Sequence, residues 1–593
     1  MNFFKDRIDR LRNEMAMQSI DVYVVTGTDP HQSEYLADNW NVRKYLSGFT
    51  GSAGQMVITK DFAGLWTDSR YFIQAEYELK NTGIQLMKQK VQFAPEYLIW
   101  IKDNIPEDCT VLIDGSLISL EQFEYASKTL LSNFKLITSD KLLGKIWVDR
   151  KESSVQRVFL LEDKYAGENI ASKMLRIQNF IVDSGINGML FSALDDIAWI
   201  TNLRGYDVPF NPVFLSYLYF SEKRKVLFVN SEKLSDGIRF YLSEQNIEIL
   251  PYHQVFEFLN QLPSGTLVGM DKNQSSFSIA EAAGKRFFAV NNPVIQWKSE
   301  KNKIEINNTR KAMIADGVAL TKTFFWLENE LKSREVTEYE LGQQLSVFRS
   351  QNEEYLMDSF GSIVGYMGNG AIIHYSADVN KCAAIRQKGI VLVDSGGQYK
   401  TGTTDITRTI ATGQNIDDEI KKAFTLVLKG MIALSNMIFP KGTTGVQLDV
   451  MARQFLWGSG LNYAHGTGHG VGFCLNVHEG PQGFAGLNSI RGKVPFAEGM
   501  ITSNEPGFYE PGKFGIRTEN LILTKKHPIY DNFYTFETLT LYPLDKSLMD
   551  MSMLTHDEKY WVNQYHQDVF DQLTGYLDDN HRMWLYEKCK SLE

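Results

Sequence analysis

The chain has little that would place it in a membrane, in an oxidising compartment or on a nucleic acid. It contains no run of about 18 or more apolar residues, which argues against a transmembrane helix. Only four cysteines occur in 593 residues, Cys109, Cys382, Cys474 and Cys589, with no short-spaced pair among them. That scatter fits a reducing compartment and supplies no zinc-knuckle motif. Positive charge is not in excess: the net charge is −10 and the pI about 5.6. A general nucleic-acid binder would carry the opposite, basic footprint, and nothing here calls for an anionic membrane surface as a partner. The opening MNFFKDRIDRLRNEMAMQ lacks the apolar centre of a signal peptide. It sets Phe, Ile, Leu and Met at helical spacing and reads as an amphipathic surface helix. No segment is of low complexity, and no strongly acidic tail is present. A cytoplasmic protein is the expectation.

The composition is that of an ordinary globular protein, with 43% apolar and 22% charged residues. The chain is too long for one core, so three or more domains are expected. Residues 1–150 alternate strand-like runs, IDVYVVTG (20–27), GQMVIT (54–59) and CTVLID (109–114), with helical ones such as SRYFIQAEYELK (69–80). This is an α/β pattern. Residues 151–300 repeat it. In both stretches a strand ends in an acidic turn, followed by an aromatic-rich helix and a Leu/Ser/Gly loop. A charged linker is expected around 140–165. Residues 301–545 differ: a long helical pattern, NKIEINNTRKAMIADGVALTKTFFWLENEL, leads into strands, turns and glycine-rich segments. The polar, aromatic remainder, 546–593, reads as a small helical cap.

Five residues in 301–545 carry the chemistry. Asp394 lies in VLVDSGG (391–397) and Asp405 in TTDITRT (403–409); Glu505 lies in TSNEPG (502–507) and Glu519 in IRTENLIL (516–523). Each pair is spaced like a hairpin, with Gly396 and Gly397 expected to supply the positive φ of a tight turn in the first. Two aspartates at a turn are ordinary by themselves. The repetition is not, and it suggests two halves related by a pseudo-two-fold. Four acids in one pocket would repel, since a like-charged pair at about 4 Å costs roughly 4 kcal/mol at an effective dielectric of 20. Bound cations make such a cluster tolerable.

HGTGHGVG (465–472) adds His465 and His469. Four glycines in eight residues make a helix improbable, so an irregular loop or strand is expected, letting the backbone approach a ligand closely. His469 is the candidate metal ligand, and His465 would line a substrate pocket. A lone histidine is more often structural. Here four of ten histidines, His374, His465, His469 and His478, fall in one stretch of about one hundred residues that overlaps the acids, which favours function. Four carboxylates and one imidazole suit Mn²⁺, Co²⁺ or Fe²⁺ better than thiolate-bound zinc. Two ions about 3.5–4 Å apart would hold a bridging water or hydroxide, the apparatus of hydrolysis.

The order Asp394, Asp405, His469, Glu505, Glu519 resembles the metallopeptidases with the pita-bread fold, which include methionine aminopeptidase, prolidase and aminopeptidase P. The flanks SFGSIVGYMGNGAIIHY (359–375), VDSGGQYKTGTTDITRT, VHEGPQG (477–483) and NEPGFYEPGKFGIRTEN look like the long, three-domain form of the Xaa-Pro aminopeptidases. YLSGFTGSAG, WTDSRYF and WITNLRGYDVPFNPVFLSYLYF resemble that family's creatinase-type N-terminal pair, and WVNQYHQDVF its C-terminal segment. The resemblance implies α/β N-terminal domains plus an α+β pita-bread catalytic domain with pseudo-two-fold symmetry. It implies a homodimer acting on peptides with proline second, neither membrane nor nucleic acid being a partner. It also implies two divalent metal ions, Mn²⁺ first, with Co²⁺, Fe²⁺ or Zn²⁺ as the others. Asp394 and Asp405 would chelate one ion, His469 and Glu505 the other, and Asp405 and Glu519 would bridge. Glu505 would relay a proton. His374 and His478 would be catalytic without binding metal, and His465 would help form the proline pocket. Arg517, grouped with the substrate side, shares a strand face with Glu519 and could hold the carboxylates in place. Prolidase, creatinase and a non-catalytic pita-bread binding module are the rivals.

Overall fold

The computed structural model describes residues 3–91, 94–139, 141–151 and 155–593. Residues 140 and 152–154 of the charged linker, and Met1 and Asn2 of the first helical run, lie outside this set. Helix α1 (Phe3–Met17) buries Ile8, Leu11 and Met15, one stripe at three- and four-residue spacing. The apolar run at Ile20 then forms strand β1 (Val22–Val25), all of it buried.

β1 is central in a six-stranded sheet with β2 (Gln55–Thr59), β3 (Ala63–Thr67), β4 (Gln85–Lys88), β5 (Thr110–Ile113) and β6 (Lys135–Thr138). The order is β4-β3-β2-β1-β5-β6. β1/β2 and β2/β3 are antiparallel, whereas β3/β4, β1/β5 and β5/β6 are parallel. A second six-stranded sheet repeats this plan. They are β7 (Gly188–Phe191), β8 (Ser216–Ser221), β9 (Lys225–Val229), β10 (Ile247–Leu250), β11 (Val268–Met270) and β12 (Phe287–Ala289), in the order β10-β9-β8-β7-β11-β12. Every pairing keeps its sense. Both sheets fall in one compact unit, residues 1–162 and 168–294; the second unit holds 163–167 and 295–593. The short segment 163–167 joins the second unit because Asn302 and Asn308 donate to the carbonyls of Ala166 (2.8 Å) and Lys164 (2.9 Å).

The long helix of the second unit is α5; among the helices before it are α2 (Phe72–Glu78), α3 (Ile170–Asp183) and α4 (Leu194–Thr201). α5 (Lys303–Glu330) starts at a capping box: Asn302 accepts from the backbone of Glu305, whose carboxylate accepts from Asn302 N. α6 (Glu338–Arg349) follows, then strands β13 (Tyr355–Asp358), β14 (Ile363–Tyr366), β15 (Ile390–Ser395), β16 (Gly397–Tyr399), β17 (Gly402–Thr403) and β18 (Ile406–Ala411). The second half again places helices, α7 (Asp418–Ser435) and α8 (Gly445–Gly458), ahead of its principal strands. Its strands are β19 (Ile438–Pro440), β20 (Gly468–His469), β21 (Gly483–Phe484), β22 (Ile501–Asn504), β23 (Gly507–Glu510), β24 (Phe514–Arg517), β25 (Asn520–Lys526) and β26 (Phe533–Thr538). The sheets run β14-β15-β18 and β19-β26-β25-β22. Helices α9 (His556–Leu573) and α10 (Asp579–Cys589) close the chain and bury Val562, Tyr565, Val569, Leu573 and Leu585 in the same core as α7. Among the described residues no helix is long and apolar enough to cross a membrane.

Candidate metal centre

Each half presents its two acids by the same device. In the first, β15 and β18 pair antiparallel while the chain between them forms a second, inner pair, β16 with β17. Asp394 sits near the end of β15 and Asp405 immediately before β18, so the break in the ladder brings both to one place. In the second half β22 and β25 are the outer pair and β23 and β24 the inner one. Glu505 follows β22, and Glu519 precedes β25.

The turn expected at Gly396 and Gly397 lies elsewhere. Neither has a positive φ, and the residue of this segment that does is Gly402, at +151°. Gly396 is required for room: a Cβ there would stand 2.0 Å from the Thr404 carbonyl oxygen and 2.2 Å from Ser359 Oγ. Arg349, wholly buried, fixes this junction from the helices. It pairs with Asp316 of α5 at 2.8 Å and donates to the Gly396 carbonyl and to Ser395 Oγ. The glycines of HGTGHGVG act likewise. They admit neighbouring backbone rather than a ligand, since a Cβ on Gly468 would lie 1.8 Å from the Ser503 carbonyl oxygen and one on Gly470 2.1 Å from that of Glu479.

This close approach carries His469 to the acids. Its Nε2 lies 3.5 Å from Asp405 Oδ2 and 3.4 Å from Glu505 Oε1, both beyond ordinary hydrogen-bonding range. Its Nδ1 faces the Gly470 carbonyl at 3.0 Å, an arrangement that fixes the tautomer and leaves the lone pair on Nε2, the nitrogen turned toward the acids. Ser503 links its backbone to Glu505, accepting from His469 N and donating to Oε1. Donor atoms of Asp405, His469 and Glu519 all fall within 4.8 Å of one another.

Burial, with Glu519, Asp394 and Glu505 close by, pushes the Asp405 carboxyl far above the usual carboxylate range. Burial, then Glu505 and Asp394, does the same to Glu519. Burial raises Glu505 to about 7, against the downward pull of Arg517, Ser503 and His478. Asp394 Oδ1 and Glu519 Oε1 are buried with no hydrogen-bond partner. Buried oxygens without donors, in a cluster that a buried arginine cation faces, fit divalent ions.

Arg517 is that cation. It is 2% exposed, contacts Asp394 Oδ2 at 2.6 Å and donates through Nε to Thr407 Oγ1, which donates to Glu519 Oε2 at 2.8 Å. Its third contact is Tyr509 OH at 2.8 Å, and the same hydroxyl meets His465 Nε2 at 2.8 Å. His478 stands edge-on to His469, ring centroids 4.3 Å apart. His374 is partly buried, and the Ile373 carbonyl beside it lies 3.5 Å from Arg517 Nη2.

Residues 307–526 match Metallopeptidase family M24. Residues 7–146 and 149–305 each match the Creatinase/Prolidase N-terminal domain, and 532–592 the C-terminal region of peptidase M24. A relative from Laccaria bicolor, named Probable Xaa-Pro aminopeptidase P, is 38% identical over 99% of this chain and 93% of its own. The chain belongs to metallopeptidase family M24. The crystal structure of an X-prolyl aminopeptidase from Caenorhabditis elegans, described as a cytosolic enzyme with a di-nuclear active site, superposes with a TM-score of 0.94, 32% identity and 99% coverage of both chains. The Xaa-Pro dipeptidase from Bacillus anthracis covers 64% of this chain and 99% of its own, at 25% identity and a TM-score of 0.51.

All five candidate ligands of this M24 chain lie within the matched span 307–526. Sequence inspection passed over Tyr509, Thr407 and Ser503, which bind the ligands together. It also passed over Glu479, the neighbour of His478. The Glu479 carboxylate is buried against two buried lysines, Lys301 at 3.0 Å and Lys298 at 3.5 Å. Tyr509 and Thr407 stand in quoted motifs, but only the fold reveals what they touch.

Proposed function

We propose that this M24 chain is a binuclear aminopeptidase that removes the first residue from peptides with proline second. The gathering of His469 with Asp405 and Glu519, flanked by Asp394 and Glu505, carries this reading. The full-length likeness to Xaa-Pro aminopeptidases gives it the substrate. In this reading Asp394 and Asp405 would hold one ion and His469 and Glu505 the other, with Asp405 and Glu519 serving both. The partnerless oxygens of Asp394 and Glu519 support a role for both in binding cations. The oxygen-rich donor set favours Mn²⁺. When bound, the ions supply an activated water and a Lewis acid for the scissile carbonyl.

The chain's own groups do the rest. Glu505 accepts a proton from the attacking water. His478, beside His469 but outside the ligand set, and His374 serve proton transfer and oxyanion stabilisation. His465, anchored by Tyr509, lines the pocket for the pyrrolidine ring. A bond to proline has no N–H to recognise, so shape must replace a hydrogen bond. Arg517 keeps Asp394 in place. A cytosolic setting is supported by four free cysteines and by the description of the nematode relative. The four parts 1–150, 151–300, 301–545 and 546–593 remain our division of the chain; family matches end close to the first two boundaries, at 146 and 305, whereas the C-terminal match already begins at 532.

Prolidase is the nearest rival, but the Bacillus dipeptidase accounts for 64% of this chain against 99% for the nematode aminopeptidase. The test uses metal-stripped protein with and without Mn²⁺. It is offered a tripeptide with proline second, the matching Xaa-Pro dipeptide and a tripeptide with alanine second. Mn²⁺-dependent release of the first residue from the proline tripeptide alone is expected. Cleavage of the dipeptide alone would move the assignment to prolidase, and no cleavage would leave a binding module.

A further inference from the structure

Arg408 is a buried cation that, among the described residues, meets no carboxylate. It is 2% exposed, and six oxygens surround its guanidinium. They are the carbonyls of Thr407, Glu519, Tyr542 and Pro543, Asn520 Oδ1 at 2.8 Å and Tyr565 OH at 2.8 Å. Three contacts from residues 407 and 408 grip Glu519. Thr407 Oγ1 donates to its carboxylate, the Thr407 carbonyl accepts from its N–H, and Arg408 Nη1 donates to its carbonyl. Thr407 and Arg408 belong to β18 in one half of the catalytic fold, and Glu519 precedes β25 in the other. The grip therefore joins the halves at the metal centre.

The far end of the guanidinium is set by α9. Tyr565, 6% exposed, accepts from Arg408 Nη2 and donates to the Tyr542 carbonyl at 2.9 Å. A guanidinium presents its five N–H groups in a rigid plane, so a partner lost on one edge re-aims the other. The two Nη2 hydrogens share three acceptors, Asn520 Oδ1, the Tyr542 carbonyl and Tyr565 OH, so loss of the hydroxyl leaves no N–H unpaired but turns that edge toward the remaining two and takes the guanidinium plane with it. We infer that Tyr565 is a positioning residue of the metal centre, acting through Arg408 on Glu519. The C-terminal segment is thus a working part of the site rather than a cap. This rests on the reading of Glu519 as a metal ligand.

The test compares metal-stripped wild type, Tyr565→Phe and Val569→Ala. Phenylalanine keeps the ring and removes the hydroxyl. Val569, fully buried on the same helix, controls for loosened packing. Each protein is titrated calorimetrically with Mn²⁺, melted without metal and assayed on the proline tripeptide. Tyr565→Phe is expected to bind Mn²⁺ at one site at least about tenfold more weakly, the size typical when the support of a metal ligand is lost. Excess Mn²⁺ should restore most of its turnover. Val569→Ala should melt lower but bind Mn²⁺ as wild type does. Wild-type affinity in Tyr565→Phe, or an equal loss in Val569→Ala, would overturn the inference. Failure of the wild type itself to take up Mn²⁺ would reject the metallopeptidase reading, and the role given to Tyr565 with it.

Discussion

Asp405 and Glu519 are costly residues to bury, and the burial that raises their carboxyl groups sets a pH dependence for the metal-free protein. A carboxyl held above its ordinary pKa binds protons more tightly folded than unfolded. It therefore stabilises the fold at low pH, and that stability is lost as pH rises through the folded value. For Glu505 the window runs from the usual 4.5 to about 7, and the raised Asp405 and Glu519 extend it upward. Metal-free protein should accordingly melt lower at pH 8 than at pH 5.5, and saturating Mn²⁺ should reduce the difference. A melting temperature that climbs with pH in the absence of metal would contradict the burial of these acids. Asp405→Asn follows from the same argument. Without metal at pH 8 it should melt above wild type, because one buried, repelled acid is gone, and it should neither bind two ions nor turn over peptide. His374→Ala should behave otherwise. It should keep both ions and lose about 10²–10⁴-fold in kcat, the usual scale for a proton-transfer group. Elemental analysis beside kinetics separates the two, and loss of metal in His374→Ala would make it a ligand.

The ladder breaks set the acids, and they were only half visible in the sequence. The paired spacing of Asp394 with Asp405 and of Glu505 with Glu519 announced two hairpins, because acids, glycines and apolar runs repeat in one order. That each hairpin is doubled, an outer pair continuing into an inner one, depends on sheet partners that no short window contains. Gly396 shows the difference. Its composition suggested a turn, whereas its cause is the Thr404 carbonyl packed against it, a contact the chain makes only when folded. Gly396→Ala tests this: a Cβ 2.0 Å from that oxygen must push β15 and the Asp405 segment apart. Overpacking of this kind costs about 1–3 kcal/mol or more, and Mn²⁺ affinity should fall with stability. Unchanged metal binding would place the tolerance of the site in the loop instead. The loop after His469 depends likewise on Glu479 and its two lysines, which lie about 180 residues away along the chain. Glu479→Gln strands two buried ammonium groups, a loss of about 3–5 kcal/mol. Denaturant unfolding would measure it, and a loss under about 1 kcal/mol would mean that water reaches the lysines.

Across the whole molecule, one sheet plan appears twice ahead of a catalytic fold that is itself doubled. The repeated plan was legible because buried strands announce themselves as apolar runs between turn residues. The assignment of 163–167 to the catalytic unit was not, since it rests on two asparagine side chains at the start of α5 that reach back across the sequence. The architecture also decides what metal removal does. The cores built around α7 and around β1 are apolar. The ions would therefore be bound by a fold that exists without them, unlike a small domain that folds only around its metal. Chelation should abolish peptide cleavage, leave the far-ultraviolet circular dichroism unchanged, and be reversed by Mn²⁺. Its thermal cost follows from mass action. A ligand at one hundred times its dissociation constant adds about 2.7 kcal/mol, and at roughly 2 °C per kcal/mol for a large unit one such ion raises the melting temperature by about 5 °C. Two ions bound independently should raise it by about twice that. Collapse of the circular dichroism signal on chelation would mean that the carboxylates cannot stay together unaided and that the ions are structural.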